Sequence, residues 1–168
     1  MTTYPSVKSI QVIISSADGL AGGSVLDYTV NLQGRLPPRD TEYYVKLLDA
    51  NIETNGNTTA TIDGLVSVHV SLGQPLAITS SRVLTGNLVG CYNHTSQATS
   101  ASTVRASNPD LTQVSVRFRN AKDGGVPVAK KADGSAEQIT STVLYLELVP
   151  ITYDLIAHEQ VGYKHPTF

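Results

Sequence analysis

Between Ser24 and Ile52 two runs of alternating residues flank a breaker, and that pattern restricts the chain to β structure more firmly than anything else in it. Leu26, Tyr28, Val30 and Leu32 are apolar at every second position, with Asp27, Thr29 and Asn31 between them. Successive side chains of a strand point to opposite faces, so a period of two marks a strand with one buried face. Gly34, Pro37 and Pro38 stop the run, because proline has no N–H for a ladder and fixes its own φ. Tyr43, Val45 and Leu47 then restart it.

The rest of the chain repeats this style. Lys8 to Ser16 reads as a strand with Ile10, Val12 and Ile14 on one face and Gln11 and Ile13 on the other. Asp18-Gly19 and Gly22-Gly23 form a turn able to take positive φ. Asn51 to Gly64 is rich in Asn, Thr and Gly and reads as a loop. Leu65 to Leu72 places Val66, Val68, Val70 and Leu72 opposite Ser67, His69 and Ser71. Arg82 to Tyr92 is a weaker strand whose Gly86 and Gly90 predict a bulge or a bent edge. His94 to Ser107 has little apolar content and reads as a long exposed loop. Leu111 to Asn120 turns Val114, Val116 and Phe118 to the core and Ser115, Arg117 and Arg119 outward. Asp123 to Gln138 is a second long loop. In Thr142 to Ile151, Leu144, Leu146 and Leu148 form one face and Val143, Tyr145, Glu147 and Val149 the other. Apolar residues on both faces predict a strand that is central or covered by a partner. No stretch predicts a helix of more than one turn. About eight strand candidates joined by turns fit an all-β, antiparallel two-sheet sandwich, for which an eight-stranded jelly roll is the expected form. An immunoglobulin-like sandwich is the alternative, although the chain lacks Trp and a Cys pair.

A chain of 168 residues supports one substantial core, so residues 1–168 are read as a single domain, with 152–168 a C-terminal tail. Charged residues make up 15% of the chain, against about 25% in typical domains. Its surface therefore relies on neutral polar side chains, which lose less on desolvation against a neighbour. Twelve basic residues against 14 acidic ones argue against direct nucleic-acid binding. The lone Cys91 excludes an internal disulfide and reads as a small apolar side chain on a strand. Neither a secretory leader nor a spanning apolar run is apparent, which predicts a soluble protein made in the cytosol.

No constellation for chemistry emerges. The histidines at 69, 94, 158 and 165 show no paired metal-ligand spacing, and HExxH and CxxC are absent. A zinc site from His158, His165 and Glu159 is too loosely spaced to favour. His69, on the outward face of its strand, is expected to be an ordinary surface residue. Asp18, Asp123 and Asp133 each precede a glycine and read as turn residues rather than calcium ligands. No GxSxG elbow or GxxxxGKS phosphate loop occurs, and Lys130-Lys131 reads as a solvated loop tip. No enzymatic activity, cofactor or metal is expected. Tyrosine is frequent instead, at 8 against 2 Phe and no Trp, and suits surfaces that become buried on assembly. Sheet propensity enriches it as well. The tail adds Tyr153, Tyr163 and Phe168 to other apolar residues that need a cover, which makes these three the candidate subunit-interface residues.

At Ser24, Asp27, Tyr28, Val30 and Leu32, and again at Val45, Leu47, Ala50 and Ile52, the chain resembles the start of single jelly-roll capsid proteins of large double-stranded DNA viruses, virophages and Polinton-like elements. The motifs are Ser-x-x-Asp-Tyr-x-Val-x-Leu and Val-x-Leu-x-x-Ala-x-Ile, and they span about a quarter of the chain. The resemblance implies a penton or other minor capsid protein: a structural subunit of the virion, made in the host cytoplasm, forming pentamers at icosahedral vertices. It would bind further copies of itself and the neighbouring major and minor capsid proteins. A carbohydrate- or receptor-binding spike module is the competing reading. If the tail bridges subunits, Tyr163→Ala should lower assembly, measured by native mass, more than it lowers the melting temperature of the monomer; equal losses would place the tail in the subunit's own core.

Overall fold

The computed structural model describes residues 9–32, 43–55, 60–72, 88–93, 96–100, 104–106 and 113–150. Twelve strands occur among them: β1 (Ile10–Ser15), β2 (Asp27–Asn31), β3 (Tyr43–Thr54), β4 (Thr61–Ile62), β5 (Val66–Leu72), β6 (Leu88–Asn93), β7 (Ser96–Ser100), β8 (Val104–Ala106), β9 (Gln113–Asn120), β10 (Ala129–Lys130), β11 (Ala136–Glu137) and β12 (Ile139–Pro150). The only helical turn among the described residues is a 3-10 turn at Ser16–Asp18, capped by the Ser15 hydroxyl, which accepts from the Ala17 N–H. The protein is an all-β sandwich, and every strand pair is antiparallel.

Four strands form one sheet in the order β1-β12-β3-β8, and five form the other in the order β2-β9-β5-β6-β7. A small third sheet, β11-β10-β4, extends from the sandwich. The alternating pattern decides what the two large sheets turn toward each other. The first contributes Val12, Ile14, Val45, Leu47, Leu144, Leu146 and Leu148. The second contributes Tyr28, Val30, Val66, Val68, Val70, Val89, Val114, Val116 and Phe118. All of them are buried in a single core. β12 lies between β1 and β3, so its expected central position holds.

The three-residue spacing between Leu47 and Ala50 in the sequence motif has a structural cause. β12 pairs Tyr145 with Asp49 but Leu146 with Leu47, so Leu48 is an extra residue in β3. This bulge resets the parity of the strand and lets Val45, Leu47, Ala50 and Ile52 all face the core. A second bulge interrupts β6, where Val68 pairs with Gly90 and His69 with Leu88, in the stretch whose glycines predicted one. The 20–24 turn depends on two glycines. Gly22 adopts φ +96°, and a Cβ on Gly23 would lie 3.0 Å from the Asp27 carbonyl oxygen.

The loop expectations need correcting in three places. β3 continues to Thr54 and β4 follows, with Ala60 and Ile62 buried, where a loop from Asn51 to Gly64 was expected. The 94–107 stretch contains β7 and β8, because ladder hydrogen bonds come from the backbone and need no apolar side chains. The 123–138 stretch contains β10 and β11 and buries Ala129. Its Asp-Gly pairs are turns as expected: Gly124 and Gly134 have positive φ, and Asp123 and Asp133 each accept from a backbone N–H two residues on.

Inside the core, Thr142 of β12 donates its hydroxyl to the Val25 carbonyl at 2.7 Å. Its single proton is thereby used, so the Tyr28 hydroxyl, 3.2 Å from Thr142 Oγ1, is the donor in that contact. This bond ties the two sheets together, and burial, the main cause, pushes the Tyr28 phenol up to about 12. Adjacent residues of β1 provide a direct test of the layering. Ile14 is fully buried and Ile13 is 61% exposed. Urea unfolding should show a loss of about 2–5 kcal/mol for Ile14→Ala and about 0.5 kcal/mol or less for Ile13→Ala.

Candidate interaction surface

The outward faces of the two large sheets differ in kind. On the four-stranded sheet, the parity that buries Ile14, Leu144 and Val45 turns Ile13, Val143, Tyr145, Val149 and Tyr44 outward. The ladder puts Ile13 opposite Tyr145, and Val149 opposite Tyr44. The bulged Leu48 joins this face and is 39% exposed, while Tyr44 and Tyr145 are each 40% exposed. Glu147 lies between Gln11 and Lys46 in the same row of the ladder, which places opposite charges side by side, and Asp49 and Asn51 stand opposite Tyr145 and Val143, so the apolar side chains are interspersed with polar ones. Large apolar side chains grouped on one sheet face are unusual on a surface that stays in water.

The outward face of the five-stranded sheet is mainly polar, and its centre is buried. One row of its ladder runs Asp27, Arg117, His69, and the next runs Arg119, Ser67, Cys91. Asp27 Oδ2 lies 2.7 Å from Arg117 Nε and 3.1 Å from Arg119 Nη2. The first contact is a close ion pair that lacks hydrogen-bond alignment, so Arg117 Nε has no hydrogen-bond partner among the described residues. Arg119 also donates to the Phe118 carbonyl. A row further along, the hydroxyls of Thr29 and Ser115 meet at 2.9 Å.

His69 corrects the expectation of a surface residue: it is 3% exposed, and Ser67 and Ser115 are buried with it. Strand parity places these three away from the core, but parity alone does not say whether the outer face is open. Ser67 donates its hydroxyl to the Arg119 carbonyl at 3.0 Å, so His69 Nε2, 3.0 Å from Ser67 Oγ, acts as the donor. That arrangement opposes nucleophilic chemistry, in which the serine proton would go to the imidazole. Cys91 is half-buried on β6, and burial raises its thiol above the ordinary range, which keeps it protonated.

The remaining candidates are dispersed. Among the described residues no group of three His, Cys, Asp or Glu side chains is placed to hold a metal. Lys130 pairs with Asp63 at 2.7 Å and Lys131 with Glu137 at 3.5 Å, so each cation of the expected loop tip has an acidic partner. A cleft of about 600 Å³ beside β2 is lined by Leu20 to Ser24, Asp27, Tyr28, Thr29 and Gln113, and its one carboxylate is the one already held by two arginines. No described helix is long and apolar enough to cross a membrane. The interface candidates Tyr153, Tyr163 and Phe168 lie outside the described residues, as do His94, His158 and His165. The apolar outer face was partly legible in the two-sided pattern of β12; the contribution of Leu48 was not, because only the bulge brings it there.

Comparison with protein-family models, curated proteins and solved structures returns no match. Asp27→Asn should test the polar face: removing the shared carboxylate charge leaves two half-buried guanidiniums facing one another. The expected loss in urea unfolding is about 1–2 kcal/mol, smaller at high salt than at low salt.

Proposed function

We propose that this chain is a structural capsid protein, the penton subunit that forms pentamers at the icosahedral vertices of a double-stranded DNA virus. The observation that carries the proposal is the strand order. With the hairpin strand β7 and the small third sheet set aside, β1-β12-β3-β8 faces β2-β9-β5-β6. This order of eight strands in two sheets, with the chain passing repeatedly from one sheet to the other, supports reading the sandwich as a jelly roll. The resemblance of the Ser24–Ile52 region to single jelly-roll capsid proteins points the same way.

The outer face of the four-stranded sheet supports an assembling subunit. Ile13, Leu48, Tyr44 and Tyr145 combine apolar area with two phenolic hydroxyls that keep partners at an interface. In a cyclic ring the contact is heterologous, so this face would meet a different surface of the next copy. On this reading the chain has no catalytic role. Its partners are further copies of itself and the surrounding major and minor capsid proteins, and its place is the virion.

Native mass measurement on the purified protein tests the proposal. A pentamer, alone or with capsid components, is expected; a protein that stays monomeric in their presence and binds glycans instead would favour a receptor-binding module. In the pentamer, Ile13→Ser combined with Tyr145→Ser should shift the population toward monomer while leaving the monomer's unfolding free energy within about 1 kcal/mol.

A further inference from the structure

His69 occupies an unusual position for a titratable group. Its ring is buried, its Nε2–H is committed to Ser67, and its Nδ1 has no hydrogen-bond partner among the described residues. Because Ser67 passes its own proton to the Arg119 carbonyl, the network assigns the ring as the neutral tautomer with a bare Nδ1. Among the described residues, the groups that share its face are Arg117 and Arg119 from β9, Asp27 from β2, and Ser67 and Cys91 at the adjoining positions of β5 and β6. Arg117 is directly opposite His69 in the ladder. The single carboxylate in this group already faces two guanidiniums, so the local charge is positive before the imidazole takes up a proton.

We propose that His69 is an acid-sensitive catch in the five-stranded sheet: the neutral ring closes a hydrogen-bonded chain from β5 through Ser67 to the β9 backbone, and a proton on Nδ1 sets a third cation beside Arg117 and Arg119 and forces that face to admit water. The proton has no acceptor among the described residues in the closed arrangement, and a buried unpaired N–H on a charged ring is costly. Desolvation by burial holds the imidazole below its ordinary value, with Arg119 and then Arg117 adding to the effect. The sign follows directly. The unfolded chain binds the proton near pH 6.5, before the folded chain does. Stability is therefore full above about pH 6.5 and falls as pH drops toward the lower folded value. The device belongs to the sheet itself and operates whether or not the chain builds a capsid.

Two measurements on the full chain test it. The first is an NMR titration of the His69 ring in the wild-type protein. The neutral tautomer with its proton on Nε2, titrating below about 6.5, is expected; titration at or above that value overturns the proposal. The second compares thermal unfolding at about pH 7.5 and about pH 5.5 for wild type and His69→Gln. Glutamine keeps an amide donor for Ser67 and does not titrate. The wild type should lose at least about 2 °C more on acidification than the variant, and equal losses overturn the proposal. If His69→Gln does not fold, the ring titration decides alone.

Discussion

Two apolar sheet faces in dry contact are the constraint on which the rest of the molecule depends. Phe118, Val66, Val68, Val89 and Val116 meet Ile14, Leu47, Leu144 and Leu146, and none of these side chains is more than 2% exposed. Burial at this density makes parity costly to violate, because a slip of one residue in any strand would exchange its buried set for its polar one. The polar exception is placed where it can be satisfied: Thr142 reaches the Val25 carbonyl and receives the Tyr28 hydroxyl. The Leu48 bulge and the close turn at Gly23 both serve the same contact, one by restoring parity in β3 and the other by letting the chain pass close to Tyr28.

With the inner faces fixed, what differs between the sheets is what each turns outward. The four-stranded sheet offers Ile13, Leu48, Tyr44 and Tyr145 to the surroundings. The five-stranded sheet turns out serines, arginines and a histidine, and its central strands are covered there as well. The four-stranded sheet thus exposes large apolar side chains among its polar ones, while the five-stranded sheet buries polar side chains at the centre of its outer face. Exposed apolar side chains invite association; buried polar ones hold charge interactions that respond to acid. These properties sit on opposite sides of the molecule and can vary independently.

The strands with strict alternation were legible in the sequence because their side chains carry the pattern: Leu26 to Leu32, Val66 to Val70 and Val114 to Phe118 all bury the residues that alternation selects. Even the β3 bulge left a trace, as the three-residue step between Leu47 and Ala50. β7 and β8 were not legible: Ser-Gln-Ala-Thr-Ser joins a ladder through its backbone without an apolar signature, and the three residues Val104–Ala106 are too few to show alternation. The burial of His69 was missed for a different reason. Alternation reports which way a side chain points relative to the core, and it contains nothing about what lies over the opposite face.

β12 has a consequence for the order of events in synthesis. It fills the gap between β1 and β3, pairing Leu148 with both Ile10 and Val45. Until residues 139–150 leave the ribosome, β1 and β3 have no strand to join them, and their apolar faces wait beside unpaired backbone edges. The four-stranded sheet must then form by inserting its central strand late, through contacts far apart along the chain. Such topologies fold slowly and pass through states open to edge-to-edge association. A ribosome stalled before Ile139 would therefore present an incomplete sheet whose two flanking strands are open to a β12 from another copy.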